Sequence, residues 1–346
     1  MQDLHRPQPI LKRPRRTIDR ATPPEHGVAR LLNGEVIRLT DTYSTGADLL
    51  DALHEHLKPP PPGSGYPARR AFQRAYREAA LRLLAPVSDN GLALAGAESL
   101  GFLTELYPEG GDFWLPFIEI QELYGAWRRY SDGTHLAILG HRIHPFYGTY
   151  APTRTSHLEL FGTWLSSYKG ARDRAIDVGC GCGVMSLMLA RAGFAEILGT
   201  DINPNAVESL RREIARRPVA PPITALCCDL LSDAAPANLI AFNPPWMRGV
   251  IESPLDQALY FEDGLFKRFF EQAIPKLSPD GRIVLVFSNI LGLVQPGVPH
   301  PIEAELSRER LKLVGKLTRR VKPPADEHGH RRRTKEKVEI WELALA

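Results

Sequence analysis

The sequence predicts an α/β protein with a smaller α+β domain ahead of the main sheet. Three observations predict it. Beyond about residue 150, strand-like apolar runs alternate with helical patterns, as in a parallel sheet covered on both faces. A glycine-rich turn, Gly179 to Gly183, stands where the first of those runs should enter its helix. Two strand-like runs joined by a charged loop end the chain and suggest an antiparallel pair closing the sheet.

The chain has 346 residues, 43% hydrophobic and 24% charged, which is enough for two globular domains. Its formal charge of +3 names no partner by itself. Basic residues crowd both ends: Arg6, Lys12, Arg13, Arg15, Arg16 and Arg20 at the start, and Lys316, Arg319, Arg320, Lys322, Arg331, Arg332, Arg333, Lys335 and Lys337 at the finish. Such runs read either as solvated surface or as phosphate-tracking groups. Four cysteines, spaced as Cys180/Cys182 and Cys227/Cys228, do not make a disulfide framework. With no apolar leader and no run long enough to span a bilayer, the expected location is cytoplasmic.

Residues 1–25 hold five prolines and little apolar periodicity, and are expected to be a flexible basic tail. Residues 26–145 are expected to form the α+β domain, with a recognition role. Within them, Pro59 to Pro62 and Gly63-Ser64-Gly65 read as a linker or exposed loop. Phe72, Tyr76, Ala79, Ala80, Leu83 and Leu84 recur at helical spacing. From Trp127 to Phe146, Ser131-Asp132-Gly133 between two extended runs resembles a hairpin turn. Phe113, Trp114, Phe117, Tyr124 and Trp127 read as core more readily than as a base-stacking platform. Residues 146–346 are expected to form the catalytic domain. Strands are predicted over 174–178, 196–200, 223–228, 239–242 and 282–287, with helices over 184–192 and 204–217. The closing pair falls at 312–321 and 337–345.

Three motifs lie where successive strands should end. In Asp177-Val178-Gly179-Cys180-Gly181-Cys182-Gly183 the third glycine is one place early for a dinucleotide fingerprint, since position 184 is Val184. An acid two residues before the first glycine would repel a pyrophosphate but suits a ligand ammonium, held directly or through the loop amides. Read alone, this is also a structural glycine turn. Asp201 closes the next strand, where a carboxylate can take both ribose hydroxyls of an adenosine, or cap the helix that follows. Asp229 ends the third strand and can meet an adenine amine. Three acids at the carboxyl ends of three parallel strands face one crevice, together with the neighbouring Cys180, Ile202 and Leu230.

The most specific motif is Asn243-Pro244-Pro245-Trp246, after the apolar run Leu239 to Phe242. Two prolines fix the backbone and remove two donors, leaving carbonyls free to accept. The Asn243 amide and the Pro244 carbonyl can each accept an N–H from a planar amine or amide. That pulls the nitrogen out of conjugation and exposes its lone pair. Trp246 is expected to stack on the planar group.

In order and spacing, Asp177 to Gly183, Asp201, Asp229 and Asn243 to Trp246 resemble class I S-adenosylmethionine-dependent methyltransferases of the amino-group branch. The resemblance covers roughly residues 145–346. It implies a Rossmann-like seven-stranded sheet in the order 3-2-1-4-5-7-6 with strand seven antiparallel. It also implies S-adenosylmethionine as cofactor and S-adenosylhomocysteine as product. The cofactor would be held by Asp177, Gly179, Cys180, Gly181, Gly183, Asp201, Ile202, Asp229 and Leu230, with Asn243 at the methyl end. Asn243, Pro244, Pro245 and Trp246 would be the catalytic group. The segment Pro152-Thr153-Arg154-Thr155-Ser156-His157 is distantly similar to the Pro-Arg-Pro-Glu-Thr-Glu of release-factor glutamine methyltransferases. The arginine is displaced, however, and His157 stands where an acid is expected.

Tyr147, Thr153, Arg154 and Trp246 are accordingly the expected substrate contacts. The aromatics from His144 to Tyr150 either roof the substrate pocket or pack between domains. His141, His144, His157, Cys180 and Cys182 lack zinc-type spacing, and no metal is expected. The sequence therefore predicts transfer of a methyl group to a planar nitrogen of a small molecule or protein side chain. Two alternatives stand beside it: a nucleic-acid amine methyltransferase, and an inactive methyltransferase fold serving as a binding module.

Overall fold

In the computed structural model, residues 4–58, 61, 66–218, 220–251, 256–321 and 335–346 are described. The expected linker at Pro59 to Gly65 lies almost wholly outside them, as do Lys322 and Arg331 to Arg333. The chain divides into two compact units, Arg6–Arg128 and Arg129–Ala346, the latter joined by Leu4 and His5.

In the first unit a small mixed sheet orders strands Arg16–Ile18, Ile37–Leu39, Leu83–Ser88 and Gly91–Leu92, with Phe113–Pro116 also pairing to Leu83–Ser88. Helices Pro24–Leu32, Tyr43–Leu57 and Tyr66–Ala80 accompany it. The basic N-terminal segment is not a tail. Ile10 bridges Trp114 through N–H to carbonyl bonds of 2.9 and 3.0 Å, Ile18 is buried, and the Tyr107 hydroxyl donates to the Pro7 carbonyl at 2.7 Å. A few well-spaced apolar residues sufficed to dock it. Leu83 and Leu84 are strand, not helix. Phe113, Phe117 and Tyr124 are core, as their type suggested.

The hairpin was misplaced by a few residues. Helix Phe117–Asp132 runs through Trp127 to Tyr130 and stops at Gly133, whose φ of +67° ends it. The hairpin itself pairs Thr134–Leu136 with His141–Ile143. Leu136, Leu139 and Ile143 sink into the same core as Leu158 and Phe161, so the hairpin belongs to the second unit and the boundary falls near 128 rather than 145.

The second unit is built on seven strands: β1 (Arg174–Val178), β2 (Glu196–Asp201), β3 (Ile223–Cys227), β4 (Ala237–Phe242), β5 (Leu277–Ser288), β6 (Leu311–Arg320) and β7 (Lys337–Leu345). Their order across the sheet is β3-β2-β1-β4-β5-β7-β6. The first five are parallel, and β7 runs antiparallel to both β5 and β6. Helices α1 (Ser156–Ser167), α2 (Val184–Arg191), α3 (Pro204–Arg216) and α4 (Leu265–Ala273) accompany them.

The two-residue period of a strand sorts side chains to opposite faces. In β5, Val284 and Val286 join the cluster containing Phe161 and Leu187, while Ile283, Leu285 and Phe287 join the one containing Phe266 and Phe269. The same alternation in β4 sends Ile240 and Phe242 to the second cluster and Ala241 to the first. Both faces are thus buried. Among parallel strands so fixed, the carboxyl ends of β1, β2, β3 and β4 open on one rim.

Candidate active site

Those strand ends surround a cavity of about 380 Å³. Asp177, Gly179, Cys180, Gly181, Asp201, Ile202, Asp229, Leu230, Asn243 and Pro245 all line it, so most of the predicted site residues do meet. The three loop glycines have φ of +64°, +52° and +82°, a region other residues enter only with strain. Their surroundings differ. A Cβ at Gly183 would sit 2.5 Å from Leu210 Cδ1, so that glycine serves the packing of α2 against α3; it does not line the cavity. A Cβ at Gly181, which lines the cavity, would meet no protein atom within 4 Å.

Asp201 spans the turn. Its Oδ2 accepts the Gly181 N–H and its Oδ1 the Asn203 N–H, both at 2.9 Å, so it organises the loop and the start of α3 while facing the cavity. Burial pushes its carboxyl up, against those backbone donors. Asp229 is half-buried beside Arg268, 3.5 Å away. Ile202 is 56% exposed, an apolar side chain left bare at the cavity wall.

Asp177 is almost fully buried, and its Oδ2 accepts the Ser186 hydroxyl at 2.6 Å. Burial raises its pKa to about 7, with the Ser186 bonds pulling the other way. An unfolded aspartate titrates near ~3.9, so the folded protein holds this proton between about pH 4 and 7 while the unfolded chain does not. The stability that this provides is complete below that window and is lost as pH rises through it. Thermal melts of the ligand-free protein should therefore show a decline across pH 4–7 that Asp177→Asn lacks. Equal slopes in both proteins would remove Asp177 as the cause.

A strap over residues 144–150 roofs the cavity. Three polar residues recur on one face of α3, Asn205, Ser209 and Glu213, and all are buried. Each bonds the strap's backbone: Glu213 accepts His144 N–H at 3.1 Å, Ser209 accepts Phe146 N–H at 3.0 Å, and Asn205 donates to the Tyr147 carbonyl at 2.9 Å. Asn203 adds a bond to the Gly148 carbonyl at 2.9 Å, and Asn205 also clasps both backbone groups of His5 at 2.8 Å. The helical spacing of 205, 209 and 213 is what matches three successive strap positions. Between the two readings of this segment, roof and interdomain packing, Gly148, Thr149 and Tyr150 are at the cavity.

Thr149 lines the cavity with a buried hydroxyl that has no partner among the described residues. Leaving such a group unsatisfied costs about 1–3 kcal/mol. Thr149→Val should stabilise the ligand-free protein by about 1 kcal/mol and weaken ligand binding roughly tenfold, read by thermal melts and calorimetry. A variant less stable than wild type, or one with unchanged affinity, would show that the hydroxyl is satisfied elsewhere.

The expected substrate contacts fare differently. Tyr147 does not line the cavity, and its carbonyl accepts from Asn205, while Thr153 is exposed away from it. Arg154 is drawn to Glu336, buried 3.6 Å away, because a buried carboxylate needs a cation. Pro244 is buried and does not line the cavity. Trp246 also stands back from it: its indole packs against both core clusters.

Sequence reasoning missed Thr149, Pro152, Gln257, Tyr260 and Phe261 as lining residues, whereas Tyr150 belongs to the aromatic segment for which a roof was one of two readings. It had given His157, another wall residue, no role at the site. Tyr260–Phe261 pairs in parallel with Met247–Arg248, which carries that wall to the end of the Asn-Pro-Pro-Trp turn. His157 is buried, its pKa lowered to about 4 by loss of solvent, and its ring lies edge-on to Trp246 at 5.5 Å. Lys316 sits over the Trp341 ring and pairs with Glu339, and Arg319 pairs with Glu159, so part of the C-terminal basic cluster is internally neutralised. Among the described residues no group of three or more His, Cys, Asp or Glu could hold a metal ion, and no helix is long and apolar enough to cross a membrane.

Part of the chain is similar to known proteins. Residues 160–296 match the family model described as methyltransferase small domain. The ribosomal protein L11 methyltransferase of Ralstonia pickettii is 38% identical over 56 residues, 16% of this chain and 19% of that protein. The tRNA1(Val) (adenine(37)-N6)-methyltransferase of Bacteroides fragilis is 25% identical over 135 residues, 37% of this chain and 56% of that one. The chain thus spans from about a fifth to about half the length of these curated relatives. Among solved structures, the ribosomal protein L11 methylase of Lactobacillus delbrueckii subsp. bulgaricus superposes with a TM-score of 0.39 and 16% identity, covering 57% of this chain and 81% of that one. Over residues 160–296, therefore, the chain is similar to the methyltransferase small domain.

Proposed function

We propose that this protein is an S-adenosylmethionine-dependent N-methyltransferase that methylates a planar nitrogen presented at Asn243-Pro244-Pro245. The observation that carries the reading is convergence: the Gly181 cradle, Asp201, Asp229 and the Asn243 amide border one cavity at the carboxyl ends of parallel strands. The cavity suits the cofactor in chemistry as well as place. Asp201 faces where ribose hydroxyls need an acceptor, bare Ile202 offers an apolar surface to an adenine, and buried Asp177 gains a counter-charge from an ammonium. When bound, S-adenosylmethionine supplies an electrophilic methyl on a sulfonium.

The chain's own residues orient and desolvate. Asn243 Oδ1 accepts an N–H of the acceptor and holds its lone pair in line, while the roof from Gly148 to Tyr150 excludes water. No strong base is needed, because the alkylated nitrogen is acidic enough to release its proton to water. His157, neutral above about pH 4, adds no positive charge to this wall.

The acceptor we favour is a protein side chain or small molecule, in a cytoplasmic setting. A nucleic-acid amine is the second reading, and the tRNA adenine methyltransferase relative, whose match is 135 residues long, favours it. Incubation with methyl-labelled cofactor and cell fractions split into RNA, protein and metabolites tests both, by which pool takes up label. Label in RNA, with binding that falls steeply as salt rises, would replace the first reading with the second. Calorimetry showing no uptake of S-adenosylmethionine or S-adenosylhomocysteine would overturn both and leave the binding-module reading.

A further inference from the structure

The indole Nε1 of Trp246 lies 3.2 Å from Asn243 Oδ1 and 3.2 Å from the Val286 carbonyl. An indole nitrogen only donates, so the Asn243 atom facing it must be oxygen, which fixes an amide that could otherwise flip. Val286 is a fully buried residue of interior strand β5, so the indole is anchored to the buried sheet. His157 closes the other side, its ring edge-on at 88°. Half-buried Trp246 packs against the clusters on both sheet faces and lines none of the cavity, whereas Asn243 does line it.

From this geometry we infer that Trp246 is a positioning residue, whose N–H sets the orientation of the Asn243 amide, and not the surface on which the acceptor stacks. The inference rests on the methyl-transfer reading for its effect on rate, but the contact itself does not. A shared N–H between Val286 and Asn243 leaves the asparagine one rotameric and one flip state, with one lone pair of Oδ1 occupied and the other available to the acceptor. Phenylalanine at this position would keep an aromatic ring and lose the tether.

Trp246→Phe separates the roles. With methyl-labelled cofactor and the cell fraction that accepts label, the turnover rate should fall roughly tenfold to a hundredfold, as expected for a misaligned reacting group. The KM for that fraction and the affinity for S-adenosylmethionine should each stay within about twofold. A stacking surface predicts the reverse, a kept rate with a raised KM, and that result would overturn the inference. A second measurement needs neither turnover nor an acceptor. In the wild-type protein the Trp246 indole N–H resonance should be slow to exchange with solvent and should shift in Asn243→Ala. An indole proton that exchanges freely, or ignores that substitution, would overturn the contact directly. If the cofactor fails to bind while the resonance behaves as stated, the proposed function fails and the tether stands.

Discussion

Asn243→Ala is expected to cut methyl transfer by at least about a hundredfold while cofactor affinity changes by no more than about threefold, because the lost group acts on the acceptor in the transition state and not on the bound donor. The acceptor nitrogen must turn its lone pair out of conjugation, and the amide oxygen at the end of β4 is the side-chain acceptor at that turn. Removing it leaves the nitrogen without that orienting acceptor. The fold should survive, since Trp246 keeps its bond to Val286. Asn243→Asp, which retains an oxygen facing the indole, should recover part of the rate. Single-turnover transfer and calorimetry on the same samples read the two effects separately. A large loss of cofactor binding in Asn243→Ala would contradict the assignment.

Gly181→Val is expected to abolish cofactor binding, with affinity falling more than about a hundredfold. Two effects combine. A β-branched residue forced to φ of +52° is strained by about 1–2 kcal/mol, and its methyls would enter the space read as the ligand's. The strain alone is separable. Gly193 has φ of +84° and also has nothing within 4 Å of its Cβ position, but lies outside the cavity. Gly193→Val should therefore lower the melting temperature comparably and leave cofactor affinity alone. If both variants bind as wild type does, the cradle is empty space with no ligand role.

Much of this site was legible because it is written at strand ends. Apolar runs of four to six residues announce buried parallel strands, and an acid or glycine directly after such a run must fall on the common rim. Asp177, Gly181, Asp201, Asp229 and Asn243 were found in that way, and all five line the cavity. Trp246 was placed near the right backbone but given the wrong partner, because sequence adjacency to Asn243 says nothing of where an indole points. Arg154 failed for a related reason. Its place in a segment similar to Pro-Arg-Pro-Glu-Thr-Glu suggested a substrate contact, and the buried carboxylate that claims it, Glu336, is 182 positions away in sequence.

The N-terminal unit was read less well. Short strands with irregular spacing carry little periodic signal, so Arg16–Ile18 was taken for tail and Leu83-Leu84 for helix. The hairpin erred by a few residues because Gly133, a helix terminator, is also a common turn residue.

By itself the sequence determined the class of fold and the chemistry gathered along one rim, since both follow from local patterns that hydrogen bonding and strand polarity convert into position without reference to distant residues. Tertiary structure alone decided which side chains face the cavity. The roof exists because buried Asn205, Ser209 and Glu213 reach a segment some sixty residues earlier in the chain, the Thr149 hydroxyl is orphaned by that docking, and the tryptophan of the tetrapeptide turns to the core because a carbonyl of β5 awaits its N–H. Such pairings depend on the full packing of the domain, where an unsatisfied polar group costs more than any local preference can return.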